Sequence, residues 1–196
     1  KPAAKKVIDD ALKAKNDAID ANNDLTAEEK AKAKQEAQDK ADAAKQAINN
    51  ATTNAGVEQA KANGTTEVNN VNPTPEAKPA AKKAIDDALK AKNDAIDANN
   101  DLTAEEKTAA KADAKAKADA AKQAIDNATT NDAVTQAKAN GTTEVNNVNP
   151  TAQAKPAAKK AIDNALKAKN DAIDARTDLT AEEKTAAKAD AKAKAD

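Results

Sequence analysis

Asp20-Ala21-Asn22-Asn23-Asp24 has the D-x-N-x-D spacing with which a loop wraps oxygen ligands around a calcium ion. The rest of such a loop is missing. Its sixth position needs a glycine and is Leu25, and its twelfth needs a bidentate glutamate and is Ala31. A later copy, Asp174-Ala175-Arg176-Thr177-Asp178, puts a cation where a ligand would stand. The segment therefore reads as a loop that stops a helix. Asp9-Asp10 and Glu28-Glu29 are the next candidates, for acid/base work. Adjacent helical residues point in different directions, and no apolar pocket is implied that would shift a pKa. Surface pairing and helix capping account for both pairs. Lys5-Lys6 and Lys13/Lys15 offer cations to an anionic surface such as teichoic acid or phosphate, but the interleaved Asp residues make a solvated, mixed-charge face. Gly64 and Gly141 lie outside any phosphate-loop pattern and suit a close helix contact or a bend. Asn50-Ala51-Thr52 and Asn63-Gly64-Thr65 fit the glycosylation pattern, which short Asn/Thr-rich loops produce by chance.

Composition narrows the chemistry further. The 196 residues contain no His, Cys, Met, Trp, Tyr or Phe. There is no Cys or His nucleophile, no thiolate or imidazole metal site and no aromatic ring to stack on a base or a sugar. Lys+Arg 32 against Asp+Glu 33 gives a net charge of -1, which argues against a nucleic-acid partner. No stretch approaches 18 consecutive apolar residues, so no membrane insertion is expected. The expectation is no catalytic, cofactor-binding or metal residue, no small-molecule ligand and no enzyme. The N-terminal Lys1-Pro2-Ala3-Ala4-Lys5-Lys6 leads into a charged helical pattern and not an apolar signal segment, so the chain reads as internal to something longer.

The strongest signal is an internal repeat. Lys1-Pro2-Ala3-Ala4 returns as Lys78-Pro79-Ala80-Ala81 and as Lys155-Pro156-Ala157-Ala158, a period of 77. Residues 1–77 and 78–154 match at 64 of 77 positions. Residues 78–119 and 155–196 differ at three, Asp87/Asn164, Asn99/Arg176 and Asn100/Thr177. The expected domains are 1–77, 78–154 and a truncated 155–196.

Each unit carries three helical patterns. The first runs from about Pro2 to Ala21, with Ala4, Ile8, Ala11, Leu12, Ala18 and Ile19 on one face. Pro2 suits the first turn, where its missing N–H is not needed. Asn22-Asn23-Asp24 is expected to end this helix through the left-handed conformation that Asn tolerates. The second opens with a capping box, Thr26/Glu29, that recurs as Thr103/Glu106 and Thr180/Glu183. Its face, Ala33, Ala37, Ala41, Ala44, Ile48 and Ala51, is nearly all alanine. The third starts around Asn54 and carries Val57, Ala60, Gly64, Val68 and Val71. Gly64 and the β-branched residues give it poor propensity, so tertiary contact must hold it. Asn72-Pro73-Thr74-Pro75-Glu76-Ala77 closes the unit as a stiff linker.

Three narrow apolar stripes joined by short loops are best buried in an antiparallel three-helix bundle. The large aliphatics expected in its core are Val7, Ile8, Leu12, Ile19, Leu25, Ile48, Val57, Val68 and Val71. Alanine on the second helix lets the axes come close. An odd number of helices sends the chain out at the end opposite to its start. The fold expected is all-α: tandem antiparallel three-helix bundles joined end to end by short Pro-containing linkers into an elongated rod. Each unit advances the chain by about 35–45 Å. The hairpin 155–196 lacks part of its core and is expected to lean on the preceding unit or on a neighbouring molecule.

The order K-P-A-A-K-K-A-I-D-D-A, D-A-I-D-A-N-N-D-L-T-A-E-E-K, A-K-Q-A-I-D-N-A-T-T-N and V-N-x-V-N-P resembles the repeat family catalogued as domain of unknown function 1542. The resemblance covers all 196 residues, and Ile48-Asn49-Asn50 departs slightly from its I-D-N. It implies tandem arrays in cell-wall-anchored surface proteins of Gram-positive bacteria, including staphylococcal, streptococcal and lactobacillar adhesins. There the repeats form the stalk between an adhesive tip and a C-terminal sorting signal. An extracellular, cell-wall-anchored location is thus implied by resemblance. The family lends no catalytic or ligand residue to carry over.

Near-identical units, termini at opposite ends, Pro linkers and no site chemistry lead to a structural spacer whose only sure partners are adjacent repeats of the same chain. A core so poor in large side chains is also expected to yield at low force. A second reading is a three-helix module that binds a host protein, such as albumin, immunoglobulin or a matrix protein. Such surfaces usually present aromatic anchors, which this composition lacks. A third is an Ala/Lys/Asp-rich protectant, disordered until dried or bound.

Overall fold

A computed structural model describes all 196 residues. It contains eight helices and no strand. They are α1 (Pro2–Ala21), α2 (Ala27–Asn50), α3 (Asn54–Asn69), α4 (Ala77–Ala98), α5 (Ala104–Asn127), α6 (Asn131–Asn146), α7 (Ala154–Asp174) and α8 (Ala181–Ala195). Local chemistry sets their edges. Pro2 occupies the first turn of α1. Thr26 accepts from the Glu29 N–H while the Glu29 carboxylate accepts from the Thr26 N–H, and Thr180/Glu183 make the same box. Thr103 and Glu106 exchange the same two bonds. Thr53 and Thr130 cap α3 and α6 by accepting from Gly56 and Ala133.

The left-handed stop expected at Asn22 is absent. Asn22 ends α1 in an extended conformation, φ -80 and ψ 104, and no residue in the chain has a positive φ. Its side-chain oxygen instead accepts the Asp24 N–H at 3.0 Å. This Asx turn draws the backbone out of the helix without a left-handed residue.

The chain divides into two compact units, Lys1–Ala91 with Ala114–Asn147, and Lys92–Asp113 with Val148–Asp196. In the first, α1, α2 and α3 form a three-helix bundle. Lys45 reaches Asp9 and Lys34 reaches Asp20, so α2 runs antiparallel to α1. Lys40 reaches Glu67, so α3 turns back again. The core holds Ala4, Ile8, Leu12, Ala37, Ala41, Ala44, Ile48, Val68 and Val71, with Ala11, Val57 and Ala60 packed at its edge. Ile19, Leu25 and Ala33 form a separate cluster toward the α1/α2 loop. Asn16 lies on α1 between Leu12 and Ile19, and its buried side-chain oxygen takes no hydrogen bond from the protein; Asn93 and Asn170 repeat this. Val7, expected in the core, is 41% exposed. It sits one residue before Ile8, and neighbouring helical positions face about 100° apart. Its replacement by Ala84 in the second copy therefore removes nothing essential.

The alanine-lined approach is real and centres on a glycine. A Cβ at Gly64 would lie 2.3 Å from the Ala44 Cβ and 3.0 Å from the Ile8 Cδ1. Helix α3 thus seats its backbone on α2, and close packing compensates its weak propensity. The same unit repeats this with the N-terminal part of α4, the C-terminal part of α5 and α6. Gly141 meets Ala121 and Ile85 at the same distances, and Ile85, Ile125, Val134 and Val145 fill the core.

In the second unit, Ile96, Leu102 and Val148 are buried, and Lys111 reaches Asp97 at 2.8 Å. Helices α7 and α8 pack as a hairpin, and Ile173 is its one buried apolar residue. Ile162, the counterpart of the fully buried Ile8, is 48% exposed. It lines a groove of about 480 Å³ with Leu166, Ile173 and Leu179, where no third helix covers the hairpin.

Candidate functional site

The groups that suggested chemistry are spent on structure. Both Asp20 oxygens bind the Lys34 ammonium at 2.9 and 3.1 Å, and the Asn22 side chain binds the Asp24 N–H. The would-be calcium ligands therefore face different partners. In the third copy Arg176 pairs with Asp178, and its guanidinium pulls that carboxyl down to about 2. No set of three carboxylates is arranged around a metal. Asp9 and Asp10 diverge, one to Lys45 on α2 and the other to Lys6 on its own helix. Hydrogen bonding to Asp10, then its charge, raises the Lys6 pKa, and Asp17 does the same for Lys13. Lys15 donates to the Asn69 carbonyl at 2.8 Å and ties α1 to the end of α3.

Glu28 and Glu29 belong to a different construction. At the α1/α2 end of the first bundle they meet the chain on its way into the next copy. One Glu29 oxygen accepts the Thr26 N–H at 2.9 Å, and the other accepts the N–H groups of Glu76 and Ala77, both at 3.0 Å. Burial pushes this carboxyl up, but the three backbone donors outweigh it and hold it below the usual range. Glu28 accepts the Asn131 N–H at 2.9 Å. The Thr26 hydroxyl donates to the Asn131 side-chain oxygen at 2.7 Å, and the Ala27 N–H donates to the Thr129 carbonyl at 2.7 Å. Lys78 is only 3% exposed, and its ammonium donates to the carbonyls of Asn23 and Asp126 at 2.8 and 2.7 Å.

Half of this arrangement recurs in the second unit. Glu106 accepts the N–H groups of Gln153 and Ala154 at 2.9 and 3.0 Å, and Lys155 donates to the Asn100 carbonyl at 2.5 Å. The backbone donors of Thr103, Ala154 and Gln153 hold Glu106 below its ordinary pKa. Most of these bonds run from a side chain to the backbone of the adjoining copy, and the Thr26–Asn131 bond joins two side chains.

The positions of these contacts also locate the two ends of a repeat. The Lys1 ammonium donates to the Asn49 carbonyl at the C-terminal end of α2, at 2.6 Å. The chain leaves through Glu76 and Ala77, held by Glu29 at the N-terminal end of the same helix. At 1.5 Å per residue, the stretch of α2 from Glu29 to Asn49 spans about 30 Å.

The family model for DUF1542, Domain of Unknown Function, matches residues 1–76, 77–153 and 154–196. The chain belongs to the DUF1542 family. Extracellular matrix-binding protein ebh of Staphylococcus aureus strain MRSA252 is 35% identical over 187 residues, 95% of this chain and 2% of that protein. Extracellular matrix-binding protein EbhA of strain Newman is 34% identical over 185 residues, 94% of this chain and 5% of that protein. The chain thus spans a few per cent of the length of these curated relatives. No solved structure matches it.

The sequence marked Thr26 and Glu29 as a cap and assigned Glu28 to surface pairing or capping. It did not mark Asn131 as the partner of Thr26 and Glu28, Ala77 as a partner of Glu29, or Asn23 and Asp126 as the partners of Lys78. The DUF1542 copies repeat most of these residues, but their pairings join positions 48 to 105 apart, which no local pattern connects.

Proposed function

We propose that this DUF1542 segment is a spacer in the stalk of a bacterial surface adhesin, outside the cell and anchored to its wall. It holds a distal binding region away from the surface. Its structural units are 1–77, 78–154 and the start of a third at 155–196. The observation that carries this is the separation of about 30 Å, at 1.5 Å per residue, between the two ends of α2 where one repeat begins and ends. The partners are adjacent repeats. No residue is assigned to catalysis, a cofactor, a metal or a small molecule. The staphylococcal relatives are named for matrix binding, which fits a surface protein whose adhesive part need not lie in the repeat. Small-angle scattering of the 196-residue chain tests the reading. A pair-distance distribution with the long tail of an extended particle is expected, and a compact globule overturns it.

The relatives' name supports a second reading, a repeat that binds extracellular matrix itself. Saturable micromolar binding of the immobilised chain to a matrix protein would put this reading first. The absence of aromatic anchors places it second.

A further inference from the structure

We propose that the α1/α2 end of a repeat is a specific docking surface for the α2/α3 end of the repeat that follows, and that this contact, not the proline linker, fixes how the two meet. Three observations in the chain carry it. The first is a lysine that recurs in every copy and is buried in one. Lys1 donates to the Asn49 carbonyl of its own repeat and is exposed. Lys155 donates to the Asn100 carbonyl of the preceding repeat and is exposed. Lys78 has both partners, Asp126 from its own repeat and Asn23 from the one before, and only there is the side chain buried. The ammonium sits at the C-terminal end of α5, where carbonyls and the helix dipole favour a cation. A buried charge with two acceptors from two repeats binds them together, because parting them would leave it short of a partner.

The second observation is the capping threonine. Thr26 is 0% exposed where Asn131 covers it, Thr103 is half-buried, and Thr180 is exposed. Local helix capping is the same in all three. Burial of this threonine therefore follows the presence of the next repeat's α2/α3 loop. The third is the linker. Its prolines have no N–H to offer, while the free N–H groups of Glu76 and Ala77 both go to Glu29.

The partner this surface fits is defined by its donors and acceptors. It must bring a lysine at its first position, a carbonyl at the place of Thr129 and an asparagine at the place of Asn131. Lys1, Thr52 and Asn54 stand at the same places in the first copy. Any repeat of this kind can follow any other, and a three-helix module without these groups is not held.

The proposal rests on the spacer reading and fails separately from it. The chain has no cysteine, so spin labels can be placed at Ala62→Cys and Ala139→Cys, exposed positions one period apart on α3 and α6. Double electron–electron resonance on the full chain is expected to give one narrow distance distribution. Lys78→Met and Asn131→Ala are each expected to broaden it at least two-fold with helicity unchanged by circular dichroism. Should Lys78→Met lose helicity, the exposed Asn131→Ala decides. A broad distribution in the parent chain, or one as narrow in Asn131→Ala as in the parent, overturns the proposal. The spacer reading is unaffected by either result, since it depends on the separation across one repeat.

Discussion

Gly64 is the residue on which the close approach of α3 to α2 turns. Alanine there gains about 1 kcal/mol of helix propensity. It must also push aside Ala44, whose Cβ lies 2.3 Å from the new atom and has no flexible end to yield. Overpacking of this kind costs about 1–3 kcal/mol, so Gly64→Ala is expected to lower stability in urea melts. Gly56→Ala is the contrast. Its new Cβ meets Thr53 Oγ1 at 3.2 Å and Ala51 Cβ at 3.4 Å, and the second copy already has Ala133 there. A change within about 1 kcal/mol, in either direction, is expected. A parallel pair tests the core. Ile8→Ala is expected to cost about 2–5 kcal/mol, and Val7→Ala no more than about 0.5 kcal/mol, although the two are neighbours in sequence. Equal losses in the same melts would contradict the assignment of Val7 to the surface. Both are large aliphatics, and residue type alone does not say which side of a helix a residue occupies.

At the scale of elements, the capping boxes do different amounts of structural work. Thr180→Ala removes a cap and is expected to cost about 1 kcal/mol. Thr26→Ala removes the same cap and a part-buried hydrogen bond to Asn131, so the larger loss is expected there. Glu29 gives the pH dependence. Its pKa is depressed in the folded chain, so its contribution is complete above the unfolded value of about 4.3 and is lost as pH falls through the lower folded value. Glu106 behaves alike. Urea melts from pH 7 to pH 3 are expected to show stability falling below about pH 4.3, with a shallower fall in Glu29→Gln/Glu106→Gln. An unchanged slope would deny the two carboxylates this role. The elements themselves were legible. Proline at a first turn, threonine three residues before glutamate and apolar steps of three and four placed α1, α2 and α3 closely, because each signal acts within one turn. Asn22 ends α1 where its residue type predicts, but with its side chain and not with a left-handed backbone. The junction was not legible, because Asn131 meets Glu28, and Lys78 meets Asn23, only after two bundles have folded.

At the scale of the whole molecule, everything proposed for this DUF1542 chain depends on where a repeat begins and ends. The odd helix count is a property of sequence, and the contacts of Lys1 with Asn49 and of Glu29 with Glu76 turn it into a distance. A spacer works by that distance alone and needs no pocket. The direct measurement uses spin labels at Ala3→Cys and Thr74→Cys, both exposed, at the two ends of the first repeat in the full chain. A main distance of about 30 Å or more is expected, from the rise of α2. A main distance under about 15 Å, half that rise or less, would place the two ends side by side and contradict the spacer.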